Sequence, residues 1–491
     1  MTAVYENYID GQWAASESGE TTESINPATG DVVAEVPEST REDTQRAIDA
    51  AERAFEETDW ADRHGKERGA AMREIAAKLE AELEPLAELA TKENGKPLAT
   101  LENEIETAID KLDYFAGKAR DINGRTIESA SGHPDYFNVT TKEPVGVAGI
   151  IVPWNDPIDL LVRKLAPALA AGCTVVIKPA SATAACTMEF MDLIDEVDAI
   201  PDGVVNCVAG PGSVVGDELA ANQQVQKVSF TGSSTVGSQI METASDSLKE
   251  LSLECGGKAP NIVFEDADYE KALNATLYAS FMLAGQSCTA CTRLIVQESI
   301  HEQFVEDLVA RLDDVEPGDP MEDTIIGPVT TKEQLDKVLS YIDQAEDEHD
   351  LVAGGERITD PPFDQGYFVE PTIFDDVDPD APLACEEIFG PVLAVIPFET
   401  RAEAVEIANN TEYGLSGAVW TSDSTRLFEV AQELEVGDVW MNTYYRREPE
   451  MPFGGVKKSG VGKELGHEGL EEYLHTKRMC LGLDEGFNPN I

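Results

Sequence analysis

Basic residues are scarce in this chain. Its 491 residues include 36 lysines and arginines against 94 aspartates and glutamates, which gives a formal net charge of −58 at pH 7. A surface of this sign repels nucleic acid and anionic membranes, and we expect neither as a partner. Because lysine is so scarce, the composition favours a halophilic protein, for which molar salt shortens the screening distance to about 3 Å. An acidic protein of an ordinary mesophile is the alternative.

Long apolar runs are also absent. No segment approaches the roughly 20 apolar residues that a membrane-spanning helix needs. Residues 1–6 include no basic segment of the kind that begins a secretory signal. The eight cysteines are scattered, without the regular spacing of a secreted disulfide framework. Together these absences predict a cytoplasmic protein.

Hydrophobic residues make up 42% of the sequence, which suffices for full cores, and the length predicts more than one domain. The first part is mostly helical. The segment from Ser39 to Glu42 predicts a capping box, and apolar residues at helical spacing follow from Ala47 to Phe55. The same spacing predicts a second helix from Met72 to Leu83, and we expect Pro85 to open a third.

From Val145 onward, short apolar strands alternate with helical stretches. Such alternation is typical of a parallel sheet that is covered by helices on both faces. The alternation restarts near Gly257, so the sequence predicts two α/β domains. The predicted strands are 146–152, 174–177, 204–208 and 227–230 in the first domain, and 261–264, 294–296 and 392–397 in the second.

Cys288 lies in a segment of small and polar residues, from Gly285 to Arg293. A thiol in such a loop is accessible to a substrate, whereas a thiol within an apolar run usually belongs to the core. Cys288 and Cys291 also form a C-x-x-C pair, which occurs in zinc sites and redox dithiols. The sequence has neither a second C-x-x-C nor a nearby histidine, and we predict no metal site. The residues alone leave a nucleophile and a redox pair open.

Two further segments carry polar groups at the ends of apolar strands. Glu254 follows the run from Leu251 and precedes Gly256 and Gly257, and Asn155 follows the strand predicted at 146–152. A thiol nucleophile, a carboxylate base and an amide donor for an oxyanion are what acyl chemistry through a covalent intermediate requires. A salt-bridged surface carboxylate is the alternative for Glu254. Sequence spacing alone does not bring the three groups together.

These three segments, in this chain order, resemble those of the NAD(P)-dependent aldehyde dehydrogenase superfamily. The segments 230–237, 386–392 and 452–460 resemble further motifs of the same family, so the resemblance covers nearly the whole chain. It implies an α/β fold with a Rossmann-type NAD(P)-binding domain, an α/β catalytic domain and a small β oligomerisation element. The implied boundaries are 1–124 and 145–256, then 257–446, then 125–144 with the closing segment 447–491. A homodimer or homotetramer is implied.

The resemblance also implies a mechanism for oxidising a small aldehyde. Cys288 attacks the aldehyde, and Asn155 with the Cys288 backbone N–H holds the oxyanion. Hydride then passes to the nicotinamide of NADP or NAD, which leaves a thioester. Glu254 activates the water that hydrolyses it, and Cys291 is a bystander. A catalytically inactive structural relative is the alternative outside the enzyme class.

Glycine-rich turns are the first places to look for a dinucleotide. The segment from Gly210 to Gly216 has the spacing G-x-G-x-x-x-G, which does not match the Rossmann fingerprint and is also compatible with a plain βα loop. The resemblance places Gly212 and Gly216 beside the adenosine. It places Gly232 and Ser233 at the start of a helix that faces the pyrophosphate, where free N–H groups favour anions.

Lys178 matches the family lysine that binds the adenosine ribose. Members specific for NAD often carry a glutamate three residues later, where this chain has Ser181. Since a carboxylate there repels a 2′-phosphate, we expect NADP to be accepted at least as well as NAD. The resemblance assigns the nicotinamide ribose to Glu387 and the nicotinamide side to Phe389. The full set of implied cofactor residues is Ile151, Trp154, Lys178, Ser181, Gly212, Gly216, Phe230, Thr231, Gly232, Ser233, Val236, Glu387 and Phe389.

Arg163 lies where semialdehyde dehydrogenases of the succinate type carry an arginine that faces the substrate tunnel. This resemblance favours an aldehyde with a distal carboxylate, such as succinic or 2-oxoglutaric semialdehyde. Met282, however, occupies the position of that type's second arginine. A betaine- or amino-aldehyde is the alternative, since Asp159 lies near the expected tunnel mouth. Further acidic residues there are Asp156, Glu448 and Glu450.

Overall fold

The computed structural model describes residues 2–127 and 136–482. Its helices are α1 Arg41–Glu57, α2 Gly65–Ala81, α3 Leu83–Asn94, α4 Leu98–Lys118, α5 Pro157–Ala171, α6 Ala184–Asp195, α7 Asp217–Ala221, α8 Ser234–Ala244, α9 Tyr269–Phe281, α10 Glu298–Ala310, α11 Lys332–Glu346, α12 Pro382–Cys385, α13 Arg401–Asn409, α14 Ser424–Glu433 and α15 Gly466–Glu471. Its strands are β1 Ala3–Val4, β2 Asn7–Ile9, β3 Gln12–Ala14, β4 Thr21–Ile25, β5 Val32–Pro37, β6 Thr126–Ile127, β7 Tyr136–Pro144, β8 Val147–Ile151, β9 Thr174–Lys178, β10 Val205–Cys207, β11 Lys227–Thr231, β12 Glu250–Glu254, β13 Ala259–Val263, β14 Cys291–Gln297, β15 Asp350–Ala353, β16 Thr372–Asp375, β17 Val392–Phe398, β18 Ser416–Trp420, β19 Asp438–Met441, β20 Gly460–Val461 and β21 Leu474–Gly482.

The capping box at the start of α1 lies one residue later than predicted. Thr40 caps the helix, because its Oγ1 accepts the N–H of Asp43 at 3.2 Å and the Asp43 carboxylate accepts the N–H of Thr40 at 2.9 Å. The predicted pairing of Ser39 with Glu42 is wrong. The Ser39 hydroxyl is buried and accepts a hydrogen bond from Asn7 Nδ2 at 2.7 Å, so it serves a neighbouring strand.

The third helix begins before the proline that was expected to open it. α3 begins at Leu83, and Pro85 occupies its first turn. Proline is tolerated there because the first N–H groups of a helix have no intrahelical acceptor.

The first large sheet has the strand order β20-β12-β11-β8-β9-β10-β2-β3, and β8 to β12 run parallel. All four strands predicted for this region are present. Alternate residues of β8 belong to different cores: Ala148 and Ile150 pack in the core that contains α4 and α5, whereas Val147 and Ile151 pack in the core that contains α1. The sheet is therefore covered on both faces, which explains why β8 and β9 are buried at every residue.

The carboxyl ends of four parallel strands meet at one edge of this sheet. Ile151 at the end of β8 lies opposite both Lys178 of β9 and Phe230 of β11. Thr231 in turn lies opposite Glu254 of β12. The strands that follow β8 in sequence extend on one side of it up to β10 and then continue on its other side with β11. Ligands of open α/β sheets bind in the crevice at such a reversal of strand order.

The second large sheet has the order β15-β16-β17-β14-β13-β18-β19 and is parallel except for β15. The three predicted strands are present, and β14 begins three residues earlier than expected, at Cys291. A third, three-stranded sheet joins β6, β7 and β21, in which Leu474–Gly482 pairs antiparallel with Tyr136–Pro144. Among the described residues, no helix combines the length and apolar character needed to cross a membrane.

Candidate active site

Cys288 is held in a loop between α9 and β14. A tight turn precedes it, in which Leu283 and Ala284 adopt left-handed φ angles of 59° and 52°. Non-glycine residues in this region are strained, and such strain tends to cluster at functional sites. The Cys288 side chain is half-buried, whereas Cys291 is buried in the core of the second sheet. The structure therefore separates the two thiols of the C-x-x-C pair: one faces a cavity and the other packs in the core.

Burial raises the pKa of the Cys288 thiol to about 11. The positive charges of Arg447 and Arg163 oppose this increase. The thiol is therefore protonated near neutral pH. Both arginines lie close enough to favour the thiolate once it forms.

Asn155 connects the first sheet to the Cys288 loop. It lies between the end of β8 and the start of α5, and its Nδ2 donates to the carbonyl oxygen of Gln286 at 3.2 Å. Asn94 Nδ2 donates to the carbonyl oxygen of Trp154 at 2.6 Å and so fixes the preceding backbone. A buried amide donor is thus held two residues from the Cys288 position.

Glu254 ends β12 and is 4% exposed. Neither of its carboxylate oxygens has a hydrogen-bond partner within residues 2–127 and 136–482. Burial and the neighbouring carboxylate of Glu464 raise its pKa well above that of an ordinary glutamate, and Arg163 and Lys164 oppose the shift. Gly454 leaves room for this group, because a Cβ there would lie 2.6 Å from Glu254 Oε1. The buried carboxylate is therefore protonated more readily than a surface one and is a stronger base when ionised.

The Gly-Gly turn after Glu254 is required by close approach. A Cβ on Gly256 would clash with the Glu387 carboxylate, and a Cβ on Gly257 would clash with the carbonyl oxygen of Cys288. The Gly257 N–H donates to Glu387 Oε1 at 2.9 Å. The turn thus brings the Cys288 loop and the Glu387 carboxylate against the end of the first sheet.

Cys288 and Asn155 line one cavity of about 170 Å³ together with several predicted cofactor residues. Glu254 is not among the lining residues; the next two residues, Cys255 and Gly256, are. Phe389 there has a left-handed φ of 63° and an edge-to-face contact with Trp154, with ring centroids 5.4 Å apart. The predicted residues in this cavity are Trp154, Asn155, Thr231, Gly232, Ser233, Cys288, Glu387 and Phe389.

The same cavity contains two polar residues that the sequence analysis missed. Gln334 Nε2 donates to the carbonyl oxygens of Ile388 and Phe389 at 2.8 and 2.9 Å. Lys337 Nζ donates to the carbonyl oxygen of Glu387 at 2.9 Å. Both lie in the first two turns of α11, three residues apart and hence on one helix face. That spacing was visible in the sequence, but many surface helices share it.

The other predicted cofactor residues lie along the same sheet edge, outside this cavity. A Cβ on Gly216 would lie 3.8 Å from the side chains of Ile151 and Lys178. Burial lowers the pKa of Lys178 to about 8, and its Nζ donates to the carbonyl oxygen of Pro179. Ser181 lies in a short 3-10 turn after β9. Phe230, near the end of β11, pairs with Ile151 of β8. Gly212 begins the helical turn that Gly216 ends. The Val236 N–H donates to the Ser233 hydroxyl at the start of α8.

A second, larger cavity of about 730 Å³ begins at Ser287, on the other side of the Cys288 loop. It is lined by the predicted substrate residues Arg163 and Asp159, and also by Met282 and Asp156. The acidic groups there are paired: Asp159 bonds to Lys111 Nζ, and Asp156 bonds to Lys96 Nζ. Arg163 Nε lies 3.1 Å from Glu464 Oε2. The structure thus brings Arg163, Asp159 and the Cys288 loop together, with most of these charges engaged internally.

The chain resembles known proteins over nearly its full length. Residues 13–479 match the aldehyde dehydrogenase family. Betaine aldehyde dehydrogenase of Bacillus subtilis (strain 168) is 42% identical over 474 residues, which cover 96% of each chain. Alpha-ketoglutarate semialdehyde dehydrogenase of Haloferax volcanii is 43% identical over 484 residues, which cover 98% of this chain and 99% of that one. A solved structure of Staphylococcus aureus betaine aldehyde dehydrogenase in complex with NAD+ matches with a TM-score of 0.96 at 39% identity, covering 99% of this chain and 96% of that one.

These similarities confirm the predicted α/β fold and the predicted enzyme class. They do not separate the substrates, because a betaine aldehyde dehydrogenase and a semialdehyde dehydrogenase are almost equally similar. The chain belongs to the aldehyde dehydrogenase family.

Proposed function

We propose that this enzyme oxidises a small aldehyde to its carboxylate with NADP or NAD, through a thioester on Cys288. The observation that carries the proposal is that Cys288, Asn155 and the Glu387–Phe389 segment line one cavity at the strand-order reversal of the first sheet. The NAD+ complex of the similar Staphylococcus aureus enzyme supports the choice of cofactor class.

The first step is attack by the Cys288 sulfur on the aldehyde carbon. The thiol first loses its proton to solvent, and the positive charges of Arg447 and Arg163 favour the resulting thiolate. The oxyanion that develops is stabilised by Asn155 Nδ2 and the Cys288 N–H. A nicotinamide, when bound, would supply the hydride acceptor. Loss of hydride from the tetrahedral carbon leaves a thioester.

The second step is hydrolysis of that thioester. Ionised Glu254 takes a proton from water, and the hydroxide oxygen bonds to the thioester carbon. The carbon–sulfur bond then breaks, which releases the product as its carboxylic acid and restores the Cys288 thiolate. The acid loses its proton to solvent and leaves as the carboxylate, and protonated Glu254 also returns its proton to solvent. Burial of Glu254 beside Glu464 suits this role, because a carboxylate with a raised pKa is a stronger base.

The residues present fit a dinucleotide. Gly232 and Ser233 lie at the N-terminus of α8, where the helix dipole favours a pyrophosphate; the Gly232 N–H itself donates to the carbonyl oxygen of Glu254 at 3.0 Å. Glu387 uses Oε1 to accept the Gly257 N–H, and Oε2 stays available for ribose hydroxyls. Lys178 and Ser181 would meet the adenosine ribose. With Lys178 largely cationic near neutral pH and no carboxylate at Ser181, a 2′-phosphate is tolerated.

We also propose that the enzyme is a homodimer or homotetramer, that it is cytoplasmic, and that it is adapted to high salt. Eight of the nine residues of β21 are exposed in the single chain, so the sheet of β6, β7 and β21 offers a face for a second copy. The proposed boundaries, with breaks at 124/125, 144/145, 256/257 and 446/447, keep the second large sheet in one domain and all strands of the first except β20 in the other. The charge of −58 motivates the adaptation to salt.

One experiment tests the catalytic assignment by separating the two steps. Formation of NADPH or NADH is followed in high KCl with a panel of aldehydes. Cys288→Ser should abolish both the burst and turnover, because a hydroxyl scarcely ionises near neutrality. Glu254→Gln should allow one turnover and then stall as an acyl-enzyme that intact mass spectrometry detects. Cys291→Ala is the matched thiol control and should behave like the wild type. Near-wild-type turnover by Cys288→Ser would refute the assignment.

A further inference from the structure

Arg447 brings a positive charge to the larger cavity, close to the Cys288 loop. Its Nη2 donates to Thr289 Oγ1 at 2.6 Å, one residue after Cys288. Its guanidinium carbon lies 4.7 Å from the centroid of the Phe453 ring and 5.5 Å from that of Trp440. Within residues 2–127 and 136–482 Arg447 forms no ion pair closer than 4.0 Å, although the carboxylates of Asp438 and Asp159 are near enough to interact with it electrostatically. Stacking on two aromatic rings holds the planar fork without neutralising its charge.

Arg163 approaches the same aromatic ring from a different element. Its guanidinium carbon lies 4.6 Å from the Phe453 centroid, and the residue is 4% exposed. Nε is close to Glu464, but Nη2 has no hydrogen-bond partner in the described part of the chain. An unsatisfied N–H on a buried charged group is unfavourable, because it has lost its water without gaining another acceptor. Because Arg163 also lines the cavity, a ligand oxygen is the natural acceptor.

Two of the acidic side chains around this cavity are engaged by lysines. These two, Asp159 and Asp156, are therefore poor partners for an ammonium group. Asp110, Glu448 and Arg446 also line this cavity. A cationic aldehyde would therefore have to pass two guanidinium groups to reach Cys288.

We propose that Arg163 and Arg447, both in contact with Phe453, bind a carboxylate at the distal end of the aldehyde, so that the substrate class is an aldehyde acid. This inference rests on the aldehyde oxidation proposed above. Arg447, in the segment after β19, then supplies the second arginine of this site. Met282, in the turn after α9, occupies the position where dehydrogenases of the succinate type carry their second arginine. The planar fork of arginine suits a carboxylate because it donates two parallel hydrogen bonds.

The test compares three aldehydes that differ in distal charge: succinic semialdehyde, neutral butanal and cationic betaine aldehyde. For the wild type, kcat/KM should be highest for succinic semialdehyde. Arg447→Met should lower that value about 10- to 100-fold relative to butanal, which corresponds to losing one charged hydrogen-bonding partner. Using the ratio cancels any effect of Arg447 on the Cys288 thiolate, since that effect is common to all aldehydes.

Three further variants sharpen the comparison. Arg447→Lys keeps the charge but loses the fork, and it should recover only part of the preference for the anion. Arg446→Met removes the neighbouring arginine and should leave the ratio unchanged. Arg163→Gln should raise the KM for succinic semialdehyde more than that for butanal. Succinate should inhibit the wild type competitively and Arg447→Met much more weakly, which measures anion binding without turnover.

The outcomes separate this inference from the function on which it rests. If none of the three aldehydes yields NADPH or NADH, the proposed aldehyde oxidation fails. If butanal or betaine aldehyde is oxidised as efficiently as succinic semialdehyde, the proposed aldehyde oxidation is upheld and the two-arginine site is refuted. An equal loss for succinic semialdehyde and butanal in Arg447→Met would also refute it.

Discussion

The cavities and the outer surface of this protein carry charge in different ways. Four basic and five acidic side chains line the larger cavity, and one of each lines the smaller one. Over the whole chain the corresponding numbers are 36 and 94. The site is thus close to charge balance inside a strongly anionic molecule. Its chemistry depends on particular partners, whereas the surface depends on the ionic medium.

The acidic side chains at the site differ in whether they are paired with a basic group. The acidic residues Asp156 and Asp159 are paired with lysines, and Glu464 is shared by Arg163 and Lys164. Glu254 alone of these buried carboxylates has no hydrogen-bond partner in the described residues. The group to which we assign proton transfer is the one that has been left unpaired.

Removing salt should have the largest effect and should act on the surface. In about 0.01 M KCl the acidic groups repel one another over about 30 Å, against about 3 Å in 1 M. We expect the melting temperature and the activity to fall in dilute buffer. Each kcal/mol of lost stability lowers the melting temperature by about 2–4 °C for domains of 150–250 residues. Thermal unfolding across a KCl series measures this effect.

A sucrose series controls for general stabilisation by an excluded solute, because sucrose does not screen charge. Full activity and an unchanged melting temperature in dilute buffer would contradict the halophilic interpretation. If salt changed the ratio of kcat/KM values between two aldehydes while the protein stayed folded, the distinction between surface and site would itself be wrong.

Introducing a charge at the adenosine ribose should have the next largest effect. Ser181→Glu places a carboxylate near the 2′-phosphate and should weaken NADP selectively, by about 1.5–3 kcal/mol. Ser181→Gln is a neutral variant of similar size and separates repulsion from crowding. The KM values for NADP and NAD measure the change. Wild-type preference for NAD of roughly 100-fold, about 2.7 kcal/mol, would argue against a tolerant site.

The smallest effect concerns the pH at which Glu254 ionises. Its pKa is raised by burial and by Glu464, so the hydrolytic step should slow as the pH falls through a value above that of an ordinary carboxyl group. Glu464→Gln removes a neighbouring negative charge and leaves Arg163 and Lys164, which both favour ionised Glu254. The decline should therefore move to lower pH.

Single-turnover hydrolysis of the acyl-enzyme across pH measures this directly, independently of hydride transfer. Glu448→Gln removes an acidic group from the mouth of the larger cavity and should leave the profile in place. A shift to higher pH in Glu464→Gln, or no shift, would mean that Glu464 does not set the basicity of Glu254.

Local sequence determined the elements and the chemical groups of this protein. The apolar runs at 146–152 and 227–230 predicted buried parallel strands, because a strand covered on both faces must be apolar throughout. The small residues around Cys288 indicated an accessible thiol, and Glu254 and Asn155 followed from their places at strand ends. Recognised motifs then indicated the family, which the comparisons confirm.

Only the tertiary structure decided how those groups are paired. Asp159 with Lys111, Arg163 with Glu464 and the shared contact of Arg447 with Phe453 each join separate elements, and the ion pair at Arg163 spans about 300 residues of sequence. Electrostatic interactions depend on distances of a few ångströms and on desolvation, and sequence separation encodes neither. For the same reason the sequence indicated that acids lie near the tunnel, while only the fold determined which of them are neutralised and that two guanidinium groups meet at one ring.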